Sequence, residues 1–222
     1  ARDYDEWGAA ATGWHWDSVL PYFKRAEGNG RGDDALHGGN GPLSVSDLRH
    51  HNPLSEAFIE AAGQAGIGPN RDFNGPTQAG AGLYQVTQRD GARCSSAIAY
   101  LDPAKPRPNL TVQTGALVER VTFDGQRASG VRYTLRGKPA QASAAREVIL
   151  SGGAINSPQT LMLSGIGPAD ALRKLGIAVV HDAQGVGGNL QDHLDICTLQ
   201  HSTQRITYDR INEPNTALDY YL

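Results

Sequence analysis

Cysteine is scarce in this chain. Cys94 and Cys197 are the only two in 222 residues, and they stand far apart in sequence. No disulfide framework is expected, and a reducing compartment, the cytoplasm, fits best. Long apolar runs are also missing. None approaches the ~18 residues of a membrane-crossing helix. A basic excess is missing too: Lys and Arg total 20 against 23 Asp and Glu, a net charge of −3. Nothing in that balance favours nucleic acid or an anionic membrane surface. The motifs of several enzyme classes are absent as well. There is no Gly-x-Ser-x-Gly elbow for a serine hydrolase. There is no His-Glu-x-x-His or Cys-x-x-Cys for a metal, and the adjacent His50 and His51 cannot share one helical face. Two glycine clusters fall short of the dinucleotide fingerprint Gly-x-Gly-x-x-Gly. Asp33 takes the third glycine's place after Gly28 and Gly30, and Leu190 takes it after Gly185 and Gly187.

What the chain has in excess is glycine. Its 27 residues exceed the usual ~7% and imply many tight turns or close backbone approaches. With 39% hydrophobic residues and a mean hydropathy of −0.42, the composition is that of a soluble globular chain. The charged opening Ala1-Arg2-Asp3-Tyr4-Asp5-Glu6 is no signal peptide and reads as a cut end.

The pattern predicts mixed α and β structure. Asp17 is the expected N-cap of a helix through Val19, Leu20, Tyr22 and Phe23, stopped at Gly28. Residues 28–42 read as a loop open to mobility or nicking. A second helix is expected over 53–65, with Pro53 in its first turn and Leu54, Phe58, Ile59 and Ala62 on one face. Residues 83–87 have β character. A short helix through Ala97, Ile98 and Tyr100 should end before Pro103. A β meander follows: strands at 110–114, 117–123 and 130–135, with Asp124-Gly125 as a hairpin turn. Residues 147–150 are an unalternating apolar run, the mark of a strand buried on both faces of a parallel sheet. Helices are expected to open at Ser157-Pro158 and at Pro168. Trp7, Trp14 and Trp16 cluster with Tyr4 as a packed corner rather than a ligand platform.

The most informative segment is Val148-Ile149-Leu150-Ser151-Gly152-Gly153-Ala154-Ile155-Asn156-Ser157-Pro158. A strand breaks at glycines and leads into a helix. Such a turn exposes backbone N–H groups where the helix dipole favours negative charge, and the glycines admit close approach. The same residues also suit an ordinary strand-turn-helix. The Asp192-His193 pair is either a catalytic dyad or a capped turn with a hydrogen-bonded histidine.

Residues 153–167, Gly-Ala-Ile-Asn-Ser-Pro-Gln-Thr-Leu-Met-Leu-Ser-Gly-Ile-Gly, resemble the second sequence signature of the glucose–methanol–choline (GMC) flavoprotein oxidoreductases. The segment 187–193 resembles the family's Gly-x-Asn-Leu-x-Asp-His, with Gly188 in the variable place. Asp72-Phe73-Asn74-Gly75, Gly80, Gly82, Tyr84-Gln85, Arg93-Cys94-Ser95-Ser96-Ala97 and Arg107-Pro108-Asn109-Leu110-Thr111-Val112 are similar to the choline dehydrogenase and bacterial alcohol dehydrogenase branch. So is Tyr22-Phe23-Lys24-Arg25-Ala26-Glu27.

The resemblance implies an α/β (mixed α+β) fold: part of a Rossmann-like FAD-binding domain with part of the substrate domain. Residues 1–108 would be a helical and irregular segment belonging partly to the substrate domain. Residues 109–195 would be part of the FAD-binding domain, and 196–222 the start of the substrate domain. FAD is the implied cofactor. Val118 matches a valine that meets the adenine through its backbone. Ser151, Gly152 and Gly153 would lie beside the cofactor, and Asn189, Asp192 and His193 in a flavin-side loop. The implied reaction oxidises a small-molecule alcohol to an aldehyde: a histidine base takes the hydroxyl proton and hydride passes to the flavin. No histidine here matches the family's catalytic position, so no catalytic residue is assigned. Family members are more than twice as long. The expectation is therefore an internal fragment, inactive alone, whose lost sheet edge and exposed apolar face lead it either to self-associate or to carry disordered stretches. The whole enzyme's attachment to a membrane surface stays open. A non-catalytic domain that kept the fold and binds a protein partner is the alternative.

Overall fold

The computed structural model describes residues 1–204, 206 and 207. They divide into two units. Unit 1 holds Ala1–Leu110 and the described residues from Leu199 on; unit 2 is Thr111–Thr198. The segment expected to begin a substrate domain, 196–222, lies outside the described residues at Arg205 and from Tyr208 onward.

Unit 1 opens with α1 (Arg2–Ala10) and α2 (Trp16–Ala26). His15, not Asp17, occupies the N-cap of α2. The helix starts there because the Trp16 N–H is taken by Asp5 Oδ1 at 3.0 Å, a carboxylate brought across from α1. Tyr4, Trp7, Trp14, Trp16 and Phe23 do form one ring cluster, with centroids 5.5–6.3 Å apart. It is an open face rather than a closed corner, since Trp7 is 56% and Trp14 49% exposed.

The loop expected at 28–42 is anything but free. β1 (Glu27–Asn29) pairs in parallel with β2 (Leu43–Val45). Between them, Asp34 Oδ1 accepts the N–H groups of Leu36 and His37 at 2.7 Å, and Asp33 Oδ1 that of Gly39 at 2.6 Å. Short acidic side chains satisfy the loop's own backbone, as Asx turns do. α3 (Pro53–Gln64) matches the expected second helix, and the Asn52 side chain caps it by accepting the Leu54 N–H at 2.8 Å. Residues 83–87 contribute a single bridge, Ser46 to Val86, and the hairpin β3 (Gln88–Arg89)–β4 (Ala92–Arg93) lies just beyond. A π-helical turn, Ala97–Leu101, runs on into α4 (Asp102–Ala104). Pro103 does not end the helix because it sits in the first turn of α4, where no N–H donor is required.

In unit 2, β5 (Ala116–Asp124), β6 (Arg127–Leu135) and β7 (Lys138–Ser143) form an antiparallel meander. Gly125 (φ +60°) turns the first hairpin as expected. The second is turned by Arg136-Gly137, both at positive φ, the geometry of a type I′ turn. Gly130 is required in mid-strand, because a Cβ there would lie 2.2 Å from the Ala142 carbonyl oxygen.

Two expected strands are absent among the described residues. Residues 110–114 and 147–150 belong to no strand. A β-prone sequence becomes a strand only when its backbone finds a partner. Ile149 is 76% exposed instead of buried on both faces. α5 (Gly153–Leu163) begins four residues before the expected start and carries Pro158 inside it. Pro158 is the middle residue of this helix and costs it one intrahelical donor, so the preceding glycine turn, not the proline, sets the start. Pro168 caps α6 (Ala169–Lys174) as expected, and the Ala169 N–H reaches Asp182 Oδ1 at 3.0 Å. β8 (Ile166–Gly167) and β9 (His181–Asp182) pair in parallel beside it. Leu172, 1% exposed, is the centre of this small core.

Candidate cofactor site

The expected glycine turn is present at the head of α5. Ser151, Gly152 and Gly153 are all exposed. Gly153 has φ +83°, and nothing lies within 4 Å of where its Cβ would be. Gly152 is confined on its other side: a Cβ would stand 3.0 Å from Asn156 Cβ and 3.1 Å from the Ser157 nitrogen. The Gly152 N–H donates to Ser157 Oγ at 2.9 Å, which folds the turn onto the helix. No side chain caps α5, which leaves its first-turn N–H groups without intrahelical partners, and open space adjoins Gly153. An anionic group suits that donor set.

Val118 lies on β5 next to a register shift: it pairs with Tyr133, while Arg120 pairs with Arg132. Glu119 is thus an extra residue, a β-bulge. Which way the Val118 backbone faces follows from the ladder. The Ala144 N–H donates to the Ser129 carbonyl, so odd-numbered β6 residues bond toward β7. Their β5 partners, Val118 and Val121, then turn N–H and C=O away from β6. Val121 shows this directly, its N–H going to Ser164 Oγ at 2.8 Å. Val118 presents its backbone to the same outer edge of β5.

Asn189, Asp192 and His193 lie on an exposed irregular segment after β9. Asn189 takes φ +53°, and Gln191 Nε2 donates to its Oδ1 at 3.0 Å. Asp192 Oδ1 accepts the His193 N–H at 2.8 Å. The carboxylate thus meets the histidine backbone and not its ring, which is not the contact a catalytic dyad makes. The preceding loop packs on α5: a Cβ at Gly187 would lie 3.3 Å from Met162 Cε. Met162 stands nine residues along α5 from Gly153, a rise of about 14 Å. Among the described residues, no hydrogen bond joins the 151–153 turn to Asn189, Asp192 or His193.

The sequence reading missed a buried polar knot in unit 1. His37, 6% exposed, places Nδ1 3.1 Å from both Glu27 carboxylate oxygens and Nε2 2.9 Å from Asp72 Oδ2. Asn29 and Gln85 exchange amide bonds beside it at 3.0 and 3.1 Å. Burial works against a charged ring here, but the hydrogen bonds to Glu27 and then Asp72 outweigh it and raise the His37 pKa above its ordinary value. Nearby, the N–H groups of Leu36 and His37 hold the Asp34 carboxyl below its usual range. The Arg31 guanidinium does the same for Asp47. Glu27, Asp72 and Gln85 each fall in segments that resemble the family, but separations of 10 and 35 residues from His37 give no local signal of contact.

The GMC oxidoreductase family model matches residues 1–195. The chain belongs to the GMC oxidoreductase family. Mouse mitochondrial choline dehydrogenase is 49% identical over 215 residues, 96% of this chain and 36% of that protein. The oxygen-dependent choline dehydrogenase of Brucella anthropi is 46% identical over 214 residues, covering 96% and 39%. Among solved structures, an FAD-dependent oxidoreductase from Chaetomium thermophilum superposes with a TM-score of 0.75 at 31% identity, covering 81% of this chain and 34% of that one. The chain thus spans little more than a third of the length of these relatives. The mixed α/β fold is that of a GMC FAD-binding domain in part, and FAD is the cofactor. The glycine turn fits such a group, having open space at Gly153, an uncapped helix start and, at Gly153, a φ that only glycine takes easily. No described helix is long and apolar enough to cross a membrane.

Proposed function

We propose that this chain is an internal part of an FAD-dependent oxidoreductase acting on the CH–OH group of donors, of choline dehydrogenase type. The observation that carries the reading is the 49% identity to a choline dehydrogenase along 96% of the chain. Residues 109–195 would supply part of the FAD-binding domain, and 1–108 partly the substrate domain. Ser151, Gly152 and Gly153 would meet the cofactor with backbone N–H groups. Val118 would meet it with the outward edge of β5, and Asn189, Asp192 and His193 would shape the loop beside it. Bound FAD supplies the hydride acceptor. The substrate is a small alcohol oxidised to an aldehyde. In this reading the 222 residues alone are inactive.

The cytoplasmic placement rests on the two unpaired thiols, Cys94 and Cys197. Self-association of the isolated chain is also proposed. A groove of about 470 Å³ in unit 1 is lined by Tyr4, Trp7, Trp14, Tyr22 and Phe23, and apolar surface of that kind seeks cover. Light scattering should show dimers or larger species; a strict monomer overturns that part.

The main test is on the intact protein. It should carry visible flavin absorbance and oxidise choline in preference to uncharged primary alcohols. The variant Gly153→Ala should lose flavin, because alanine strains at φ +83°. A colourless intact protein defeats the proposal, and a flavoprotein that ignores choline defeats only its substrate.

A further inference from the structure

We propose that His37 is a charged clasp across Glu27 and Asp72 that lets go as the medium turns alkaline, loosening three segments of unit 1 together. The argument starts from hydrogen-bond roles. An ionised carboxylate only accepts, and a neutral imidazole has one N–H. With carboxylates at 3.1 Å from Nδ1 and 2.9 Å from Nε2, both ring nitrogens must donate, so the ring is an imidazolium. A third neighbour of Nδ1, Asn29 Nδ2 at 3.3 Å, does not alter this. The two amide hydrogens of Asn29 go to Glu27 Oε1 and Gln85 Oε1, both at 3.0 Å.

The other charged groups facing this knot support the loop rather than compete for the ring. The Asp34 carboxylate accepts the His37 backbone N–H at 2.7 Å. The Lys24 ammonium donates to the Asp34 carbonyl. Arg31 is held by Asp47. The His37 side chain is only 7% exposed, so water does not readily replace a lost partner. Once the ring loses its proton, one nitrogen lone pair faces a carboxylate in a buried site, and that contact must open.

The sign follows from the direction of the shift. The folded pKa lies above the unfolded one. The clasp therefore contributes fully below about pH 6.5, and its contribution is lost as pH rises through the folded value. The segments released are Glu27–Asn29, the 33–41 loop and the turn at Asp72. The loop is closely seated: a Cβ at Gly38 would overlap the Lys24 carbonyl oxygen.

The experiment uses the intact protein with nitrogen-15 histidine. Long-range proton–nitrogen correlation at about pH 7 should show His37 protonated at both nitrogens, with a midpoint above the ordinary ~6.5. Amide exchange in 27–41 and at Asp72 should rise toward alkaline pH by about tenfold more than intrinsic base catalysis, as the loss of one buried hydrogen-bond partner implies. Asp72→Asn offers an amide N–H to a neutral Nε2, so it should keep the fold and lose this excess pH dependence. A His37 ring with one bare nitrogen at neutral pH overturns the proposal. So does the same pH dependence in Asp72→Asn and wild type. If that variant does not fold, the wild-type spectrum alone decides.

Discussion

The two units of this chain are built on opposite economies of hydrogen bonding. Unit 2 rests on a long antiparallel ladder, with β5 and β6 each nine residues long, and on a small apolar centre at Leu172. Unit 1 has strands of two or three residues and is tied by side chains that bond backbone. Asn70 Nδ2 donates to the carbonyls of Thr77 and Ala79. Asp33, Asp34 and Asp72 accept loop N–H groups. Not every polar contact matters equally. The Arg31–Asp47 pair is short at 2.6 Å, but its side chains are 40% and 58% exposed, so its net effect is about 0–1 kcal/mol. His37 is sealed, and a buried group left without its partner loses about 1–3 kcal/mol or more. In unit 1, stability follows burial of the polar group rather than its bond length.

The sharpest way to break unit 1 while sparing unit 2 is Gly38→Ala. The new methyl would sit 1.8 Å from the Lys24 carbonyl oxygen and 2.6 Å from its carbonyl carbon. Both are backbone atoms at the end of α2, so no rotamer change relieves the clash. The loop must lift and take His37 from Glu27 and Asp72. The expected loss exceeds about 3 kcal/mol. Urea unfolding should show a lower midpoint, and limited proteolysis should cut first within 28–42. Wild-type stability in this variant would mean that the loop is not seated on α2.

The contrast between the units also explains how much the sequence revealed. α3 was legible because its signals are local: Pro53 in the first turn and an apolar face at helical spacing. The β5–β6 hairpin was legible from Asp124-Gly125 and alternation. β7 (Lys-Pro-Ala-Gln-Ala-Ser) has no such alternation of large residues, and it forms because β6 offers an edge. Residues 147–150 have a buried strand's composition but no partner among the described residues, and composition alone cannot pair a backbone. The glycine turn of the candidate site was legible because glycine marks positive φ directly. The outward edge at Val118 was not, since it depends on a one-residue bulge at Glu119. The His37 knot was illegible for another reason: its partners lie 10 and 35 residues away.

A smaller effect tests unit 2. Ser164 is 6% exposed, and its hydroxyl does two jobs. Its Oγ accepts the Val121 N–H at 2.8 Å and donates to the Thr160 carbonyl at 2.5 Å. It thereby joins the outer edge of β5 to the end of α5. Ser164→Ala keeps the volume nearly constant, so cavity formation adds little. What remains is a strand N–H without an acceptor, with an expected loss of about 1–3 kcal/mol. That is less than for Gly38→Ala, because a missing bond leaves the backbone where it was while a clash does not. Amide exchange at Val121 should accelerate first, with the 27–41 loop unchanged. If both regions loosen together, the two units share their stability and the contrast between them fails. If Val121 stays protected, another acceptor reaches the edge of β5, and Val118, the residue just before the bulge at Glu119, becomes the next amide to measure.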